Sequence, residues 1–346
     1  MSIAICSSNP NTSYYRVADR IIKIKTLDSW SATLLENSLN DYVFEHLIAA
    51  PRPAPDICVK AEVKACLSRI PAQTEVFDIS QGRCHHDGTN FWLEVCDSLV
   101  IVKSAPDFGH CDVEIQFGET SLAQEPLSIE TVCLYGFQFA LRRCGLYIFH
   151  AAAVSEPQSG RSALIIGDSG CGKSTLTVQL INCGWQFLND DAILLCKPSI
   201  SHQVNAYSFR RFLAVTDKSA VACQLPPRLQ TNVVSDDGLV YKRRVDVNGS
   251  FGGQHRASCD PQTLIFASIV ESETSEIIEI AQADAMMRLL AANPWSTYET
   301  RVISREYVSV LQSLVRGSKT YEFRAGQDIL KFIPQASKLL KPIIQR

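Results

Sequence analysis

Ser162-Ala-Leu-Ile-Ile-Gly-Asp-Ser-Gly-Cys-Gly-Lys-Ser-Thr175 is the stretch on which the reading of this chain turns. Ser162 to Ile166 have the apolar character of a buried strand. They run into Gly167-Asp168-Ser169-Gly170-Cys171-Gly172-Lys173-Ser174, which satisfies G-x-x-x-x-G-K-[ST] at every constrained position. A helical pattern follows from about Lys173 to Cys183 and stops at Gly184. Strand, glycine-rich turn and helix is the context this motif requires. Gly167, Gly170 and Gly172 let the backbone curl so that its N–H groups point inward at phosphate oxygens. The helix N-terminus adds its dipole. Lys173 supplies a point charge between the β and γ phosphates, and the Ser174 hydroxyl is suited to Mg²⁺. The cofactor-binding stretch is therefore Gly167, Asp168, Ser169, Gly170, Cys171, Gly172, Lys173, Ser174 and Thr175, and the implied cofactors are ATP and Mg²⁺. Cys171 occupies an unconstrained position of the motif and is not read as a nucleophile.

Downstream, Trp185 to Leu195 reads as one strand with Asp190 and Asp191 in its middle. Two carboxylates in an apolar strand are costly to bury without a cation. Neighbours on a strand point to opposite faces, so the two acids can do different work. Asp190 is assigned to Mg²⁺ and Asp191 to taking the proton of an attacking hydroxyl or water, with the reverse order open. The competing reading makes Asn189 to Asp191 a solvated tip between two strands. Upstream, residues 129–144 read as a helix ending in Arg142-Arg143 before Gly145, and Leu146 to Val154 as a single buried strand.

The remainder divides in two. Ser29 to Leu47 includes a short helix, and Ala49 to Asp56, with three prolines, must be extended. Phe91 to Val102 is rich in strand formers and broken near Asp97-Ser98. Val113, Ile115 and Phe117 alternate with polar residues, the period of a half-buried strand. Residues 1–125 are expected to form a β-rich domain. Residues 126–346 are expected to form an α/β domain, with helices over Ala283–Ala292 and Thr300–Arg316 and a strand over Lys319–Arg324.

Composition narrows the function classes. With 46% hydrophobic and 20% charged residues the chain has ample material for a core. A net charge of −3 gives no sign of a nucleic-acid surface. No apolar run approaches the roughly 20 residues of a membrane helix. Met1 to Thr12 lacks the apolar core of a signal peptide. The 13 cysteines are scattered, without a Cys-x-x-Cys pair, and read as reduced thiols of a cytoplasmic protein. Cys84-His85-His86 with His110-Cys111 matches no standard zinc spacing.

His150-Ala-Ala-Ala-Val154, the loop Gly167 to Thr175, Cys183-Gly-Trp185 and Asp190-Asp191 together resemble HPr kinase/phosphorylase and its relatives found beside peptide-modification genes. The acid pair follows only 17 residues after the lysine, a compact spacing also similar to phosphoenolpyruvate carboxykinase. The resemblance implies a mixed sheet around the phosphate loop and phosphoryl transfer from ATP to a serine hydroxyl. It implies His150, Lys173, Ser174 and Asp191 as active-site residues, and a homo-oligomer. Two departures bear on the acceptor: Thr175 stands where HPr kinases carry glutamate, and residues 192–269 contain no glutamate. A serine on a peptide or another protein fits better than HPr. Arg210, Arg211 and Lys242 are candidates to neutralise a triphosphate or an acidic acceptor. The other readings are a small-molecule kinase, a nucleotide-hydrolysing switch, or a nucleotide-binding module that recognises a peptide through its first domain.

Overall fold

The computed structural model describes residues 11–51, 54–79, 82–105, 109–123, 126–197, 203–225, 230–236, 240–246, 251, 253–293, 301–332 and 334–345. They group into two units, Met1–Tyr147 with Tyr298–Arg305, and Ile148–Thr297 with Glu306–Arg346. The division falls after Tyr147 rather than at residue 125. Both units are mixed α/β.

The first unit is built on nine strands: β1 (Asn11–Val17), β2 (Arg20–Thr26), β3 (Glu45–Leu47), β4 (Ile57–Lys64), β5 (Glu75–Ile79), β6 (Gly82–His86), β7 (Phe91–Val95), β8 (Ser98–Ser104) and β9 (Cys111–Gly118). Their order is β3-β1-β2-β4-β9-β8-β7-β6-β5. β2, β4 and β9 are parallel, and the remaining pairs are antiparallel. The break expected near Asp97 is the hairpin between β7 and β8, where Cys96 takes φ 52°. Helix α1 (Ser29–Asn40) starts at Asp28, whose carboxylate accepts from Ser31 N at 2.7 Å and from Val63 N at 2.9 Å. Helix α2 (Pro126–Arg143) packs on β8 and β9. Gly136 permits this approach: a Cβ there would lie 3.3 Å from the Val100 side chain. Phe139 of α2 stacks on Phe91 of β7 at 3.8 Å, with the buried Arg143 guanidinium over the Phe91 ring.

In the second unit a six-stranded mixed sheet forms from β11 (Ala152–Ser155), β12 (Ser162–Ile166), β13 (Gln186–Asn189), β20 (Pro261–Ile269), β21 (Glu276–Glu279) and β22 (Lys319–Ala325), in the order β13-β11-β12-β20-β22-β21. β12, β20 and β22 are parallel. A four-stranded sheet joins β10 (Tyr147–Phe149), β14 (Ile193–Cys196), β15 (Asn205–Ser208) and β19 (Ser258–Cys259) in the order β10-β14-β15-β19. A three-stranded sheet holds β16 (Phe212–Thr216), β17 (Gln230–Asp236) and β18 (Val240–Asp246). The helices are α3 (Lys173–Asn182), α4 (Asp217–Ala222), α5 (Gln282–Ala292), α7 (Asp328–Lys331) and α8 (Pro334–Ile344), with α6 (Arg301–Arg316) divided between the units. Among the described residues no helix is long and apolar enough to cross a membrane.

Both expected long strands are corrected here. Leu146 to Val154 divides at His150-Ala151 into β10 and β11, and Trp185 to Leu195 divides at Asp190–Ala192 into β13 and β14. Each leading or trailing half lies in a different sheet. β10 and β14 are neighbours in the small sheet, and β11 and β13 are neighbours in the large one. The apolar pattern does not reveal the break, because the residues of β11, β14 and most of β13 are buried on both sides of it.

Helices α2 and α3 end alike. Gly145 (φ 77°) follows α2 and Gly184 (φ 86°) follows α3. In each case the next residue's N–H reaches back five residues, Leu146 to Leu141 O at 2.9 Å and Trp185 to Leu180 O at 3.0 Å. After α3 this turn drives Trp185 into the core between sheet and helices, with Leu176, Leu180, Ile265, Ala336 and Leu340. Its indole N–H donates to Ser337 Oγ at 2.8 Å. Trp185→Ala is expected to destabilise the second unit by about 3–5 kcal/mol. Urea unfolding followed by far-UV circular dichroism measures this, and a loss under about 1 kcal/mol would contradict the packing.

Candidate functional site

Gly167 must be glycine because of its surroundings. A Cβ would meet Cys171 Sγ at 2.6 Å and the Ala267 carbonyl oxygen on β20 at 2.7 Å. Gly170 and Gly172 have φ of 82° and 95°, a region other residues rarely adopt. Gly172 is the N-cap of α3, and its carbonyl accepts the first helical bond from Leu176 N at 2.9 Å. Asp168, Ser169 and Gly170 are exposed. Cys171 packs against the core beneath them. Lys173 is buried and its Nζ donates to Gly167 O at 2.7 Å and Asp168 O at 3.0 Å. Its charge is thus held by carbonyls of its own loop. The Thr175 hydroxyl is turned to Ser219 Oγ of α4, at 2.8 Å.

The break between β13 and β14 is folded by Asn189, a residue expected from the sequence to lie within one continuous strand. Asn189 is fully buried, and its Oδ1 accepts from the backbone N–H groups of Asp190, Asp191 and Ala192 at 2.9, 3.2 and 3.3 Å. Its Nδ2 donates to Arg210 O at 3.1 Å. An asparagine whose side chain takes the N–H two residues on is a turn former, so a signal was present in Asn189-Asp-Asp191. It was masked by the apolar residues around it.

That turn separates the two acids. Asp190 is 2% exposed, and among the described groups its Oδ1 has no hydrogen-bond partner. Its Oδ2 accepts from Ala214 N at a long 3.3 Å. Burial, then the neighbouring Asp191 charge, pushes its pKa up to about 7, against the pull of the Ser174 hydroxyl, the Arg210 guanidinium and the Ala214 N–H. Asp191 is partly open. His150 Nδ1 lies 3.2 Å from its Oδ1, and Arg210 Nη1 lies 2.9 Å from its Oδ2. His150 is held from behind, its backbone N–H donating to Asn293 Oδ1 at 2.7 Å. Asn293 lies at the end of α5, over a hundred residues away in sequence, and nothing local singles it out.

The structure therefore brings together His150, Asp191 and Arg210 in one cluster, and Asp190 with Ser174 in another beside it. Arg210 pairs with Asp191. Arg211 is exposed. Lys242 sits opposite Thr216 on β18, and its side chain lies outside the described residues. Arg244 covers the Phe212 ring at 4.3 Å. Chemically, a buried carboxylate oxygen without a donor, beside a serine hydroxyl, is suited to a divalent cation. The glycine-rich turn at a helix N-terminus is suited to phosphate oxygens.

No protein-family model matches the chain, and no curated protein matches it. Among solved structures, the HPr(Ser) kinase/phosphatase from Coxiella burnetii is similar over 57% of this chain and 99% of its own, at 14% sequence identity and a TM-score of 0.28.

The Asp190 carboxyl couples stability to pH. Its pKa is raised in the folded chain above the ordinary 3.8 to about 7. The folded state thus holds the proton that the unfolded chain releases, and this stabilisation is lost as pH rises from about 4 to about 7. Asp190→Asn removes the term. Without added metal, the variant's stability is expected to gain on the parent's between pH 4 and pH 8, by on the order of 4 kcal/mol. A pH-independent difference in scanning calorimetry would refute the assignment. Asn189→Ala, which strips three N–H groups of their acceptor, is expected to cost about 2–4 kcal/mol in the same assay.

Proposed function

We propose that this chain is an ATP- and Mg²⁺-dependent phosphotransferase that moves the γ-phosphoryl group to a hydroxyl, that of a serine on a peptide or protein acceptor. One observation carries the reading. Asp190 is buried beside Ser174 with no donor to its Oδ1 among the described residues, while the Asp191 side chain next to it is partly exposed.

The two acids thereby take distinct parts. A carboxylate that serves a metal gains from a dry site, whereas a base must be met by the acceptor. Asp190 with Ser174 would hold Mg²⁺, and Asp191 would take the acceptor's hydroxyl proton on a carboxylate oxygen. Bound Mg·ATP supplies the transferable phosphoryl group and the cation that neutralises charge developing on it. The chain's own residues do the rest. Loop N–H groups from Gly167 to Gly172 receive phosphate oxygens at the start of α3. Lys173 exchanges its own loop's carbonyls for phosphate oxygens. His150 and Arg210 grip the two oxygens of Asp191 and fix where it points. A fixed base position matters because phosphoryl transfer depends mainly on positioning and charge. The choice of a peptide serine rests on the resemblance to HPr kinases and on Thr175 and the glutamate-free segment 192–269. A homo-oligomer in the cytoplasm belongs to the same reading.

The test is intact-mass analysis of candidate acceptor peptides after incubation with the full chain and Mg·ATP. The expected result is a gain of one phosphoryl group on a serine. Asp191→Asn should lower the transfer rate by about 10²–10⁴-fold while nucleotide binding, followed by fluorescence of an ATP analogue, is retained. Unchanged transfer in that variant overturns the base assignment. ATP hydrolysis that proceeds at the same rate with and without acceptor would make the chain a nucleotide hydrolase instead. Chelation of Mg²⁺ should abolish transfer, and Asp190→Asn should raise the Mg²⁺ requirement about tenfold or more.

A further inference from the structure

On the first unit, far in sequence from the glycine-rich loop, three donors of different chemistry meet on one face of the nine-stranded sheet. Parallel strands β4 and β9 place Cys58 directly opposite Asp112. His110 lies two residues before Asp112, on the approach to β9. Cys58 Sγ, a His110 ring nitrogen and an Asp112 carboxylate oxygen all lie within 4.8 Å of one another.

The tautomer of His110 follows from its surroundings. Its Nδ1 is 3.1 Å from the Pro55 carbonyl oxygen, which can only accept, so Nδ1 carries the hydrogen. Its Nε2 then faces Asp112 Oδ1 at 3.4 Å. In a neutral ring, two lone-pair donors oppose each other beside a thiol. Something positive belongs between them, either a second ring proton or a metal ion. A ligating histidine whose other ring nitrogen is fixed by a backbone carbonyl is the usual outer arrangement of a metal site. The backbone around the cluster is tied down: Cys111 N donates to Asp56 O at 2.9 Å, and Ala105 N to His110 O at 2.9 Å. Two cationic residues stand opposite the cluster on neighbouring strands, Lys23 across from Cys58 on β2 and Lys103 across from Asp112 on β8, and Lys103 Nζ is taken up by Glu114 at 2.8 Å.

We infer that Cys58, His110 and Asp112 form a mononuclear site for a divalent transition metal of the zinc type, with water or an external ligand completing the coordination. A sulfur, an imidazole nitrogen and one carboxylate oxygen favour zinc or cobalt over magnesium or calcium. On binding, the Cys58 thiol gives its proton to solvent and the thiolate sulfur bonds the metal. Because the thiol must lose its proton to bind the metal, binding tightens as pH rises.

The test is titration of the reduced, metal-free full chain with Co²⁺ alone. The expected result is a thiolate-to-cobalt charge-transfer absorption that saturates at one equivalent, with release of one proton. Cys58→Ser should abolish that absorption, and His110→Ala should weaken binding about tenfold or more. Because His110 is half-exposed, its variant keeps the test open if Cys58→Ser fails to fold. Cys66→Ser and Asp190→Asn should leave the absorption unchanged, which separates this site from the oxygen-lined one beside Ser174. Absence of the band in the parent chain overturns the inference. So does its persistence in Cys58→Ser, or an affinity unaltered in His110→Ala.

Discussion

The second unit depends on two chain segments changing sheets at the same level. β10 leaves the four-stranded sheet to continue as β11 in the six-stranded one. β13 leaves the six-stranded sheet to continue as β14 beside β10. Because β11 pairs with β13, the two breaks coincide, and His150 and Asp191 face each other across the gap. Continued beyond Ala153 and Asn189, the β11–β13 register would set Ala151 opposite Asp191 and leave the His150 and Asp191 side chains on opposite faces. The break leaves backbone N–H groups that Asn189 Oδ1 satisfies, and it opens a place where polar side chains converge within an otherwise apolar core.

Charge placement follows from that gap. Lys173 and Asp190 are both buried, yet neither is paired with the other. Lys173 is held by the carbonyls of Gly167 and Asp168, and one oxygen of Asp190 has no donor among the described residues. Burying a charge away from water is costly, and it is offset only in part by the loop carbonyls at Lys173 and by the Ser174 hydroxyl and the Arg210 charge near Asp190. The glycine-rich turn adds backbone that only glycine tolerates at Gly167, Gly170 and Gly172. Glycine-dependent backbone and buried polar groups concentrated in one place are a common pattern at functional sites.

The first unit is organised differently. Its sheet has buried inner positions filled by Ile57, Val59, Val113, Ile115 and Phe117 and an outer face of charged pairs such as Lys103 with Glu114. On that outer face the Cys58, His110 and Asp112 cluster is set by register alone. Residues brought opposite one another by strands β4 and β9 are separated by the whole β5–β8 meander in sequence, so no linear spacing could announce them.

Local order was legible in the amino-acid sequence. The strand before Gly167, the helix after Lys173, the glycine stops at Gly145 and Gly184 and the alternation along β9 all follow from rules acting within a few residues. So do the residue types at the glycine-rich turn and the acid pair. What the sequence could not carry was where the apolar strands end. Leu146–Val154 and Trp185–Leu195 each read as one strand, because burial on both sides of a break produces the same apolar pattern as burial along an unbroken strand. Tertiary structure alone decided that the breaks coincide, that Asp190 is buried while Asp191 is open, and that Arg210 and Asn293 hold Asp191 and His150 in place. Those outcomes depend on which strands become neighbours, a matter of pairing between distant segments rather than of local preference.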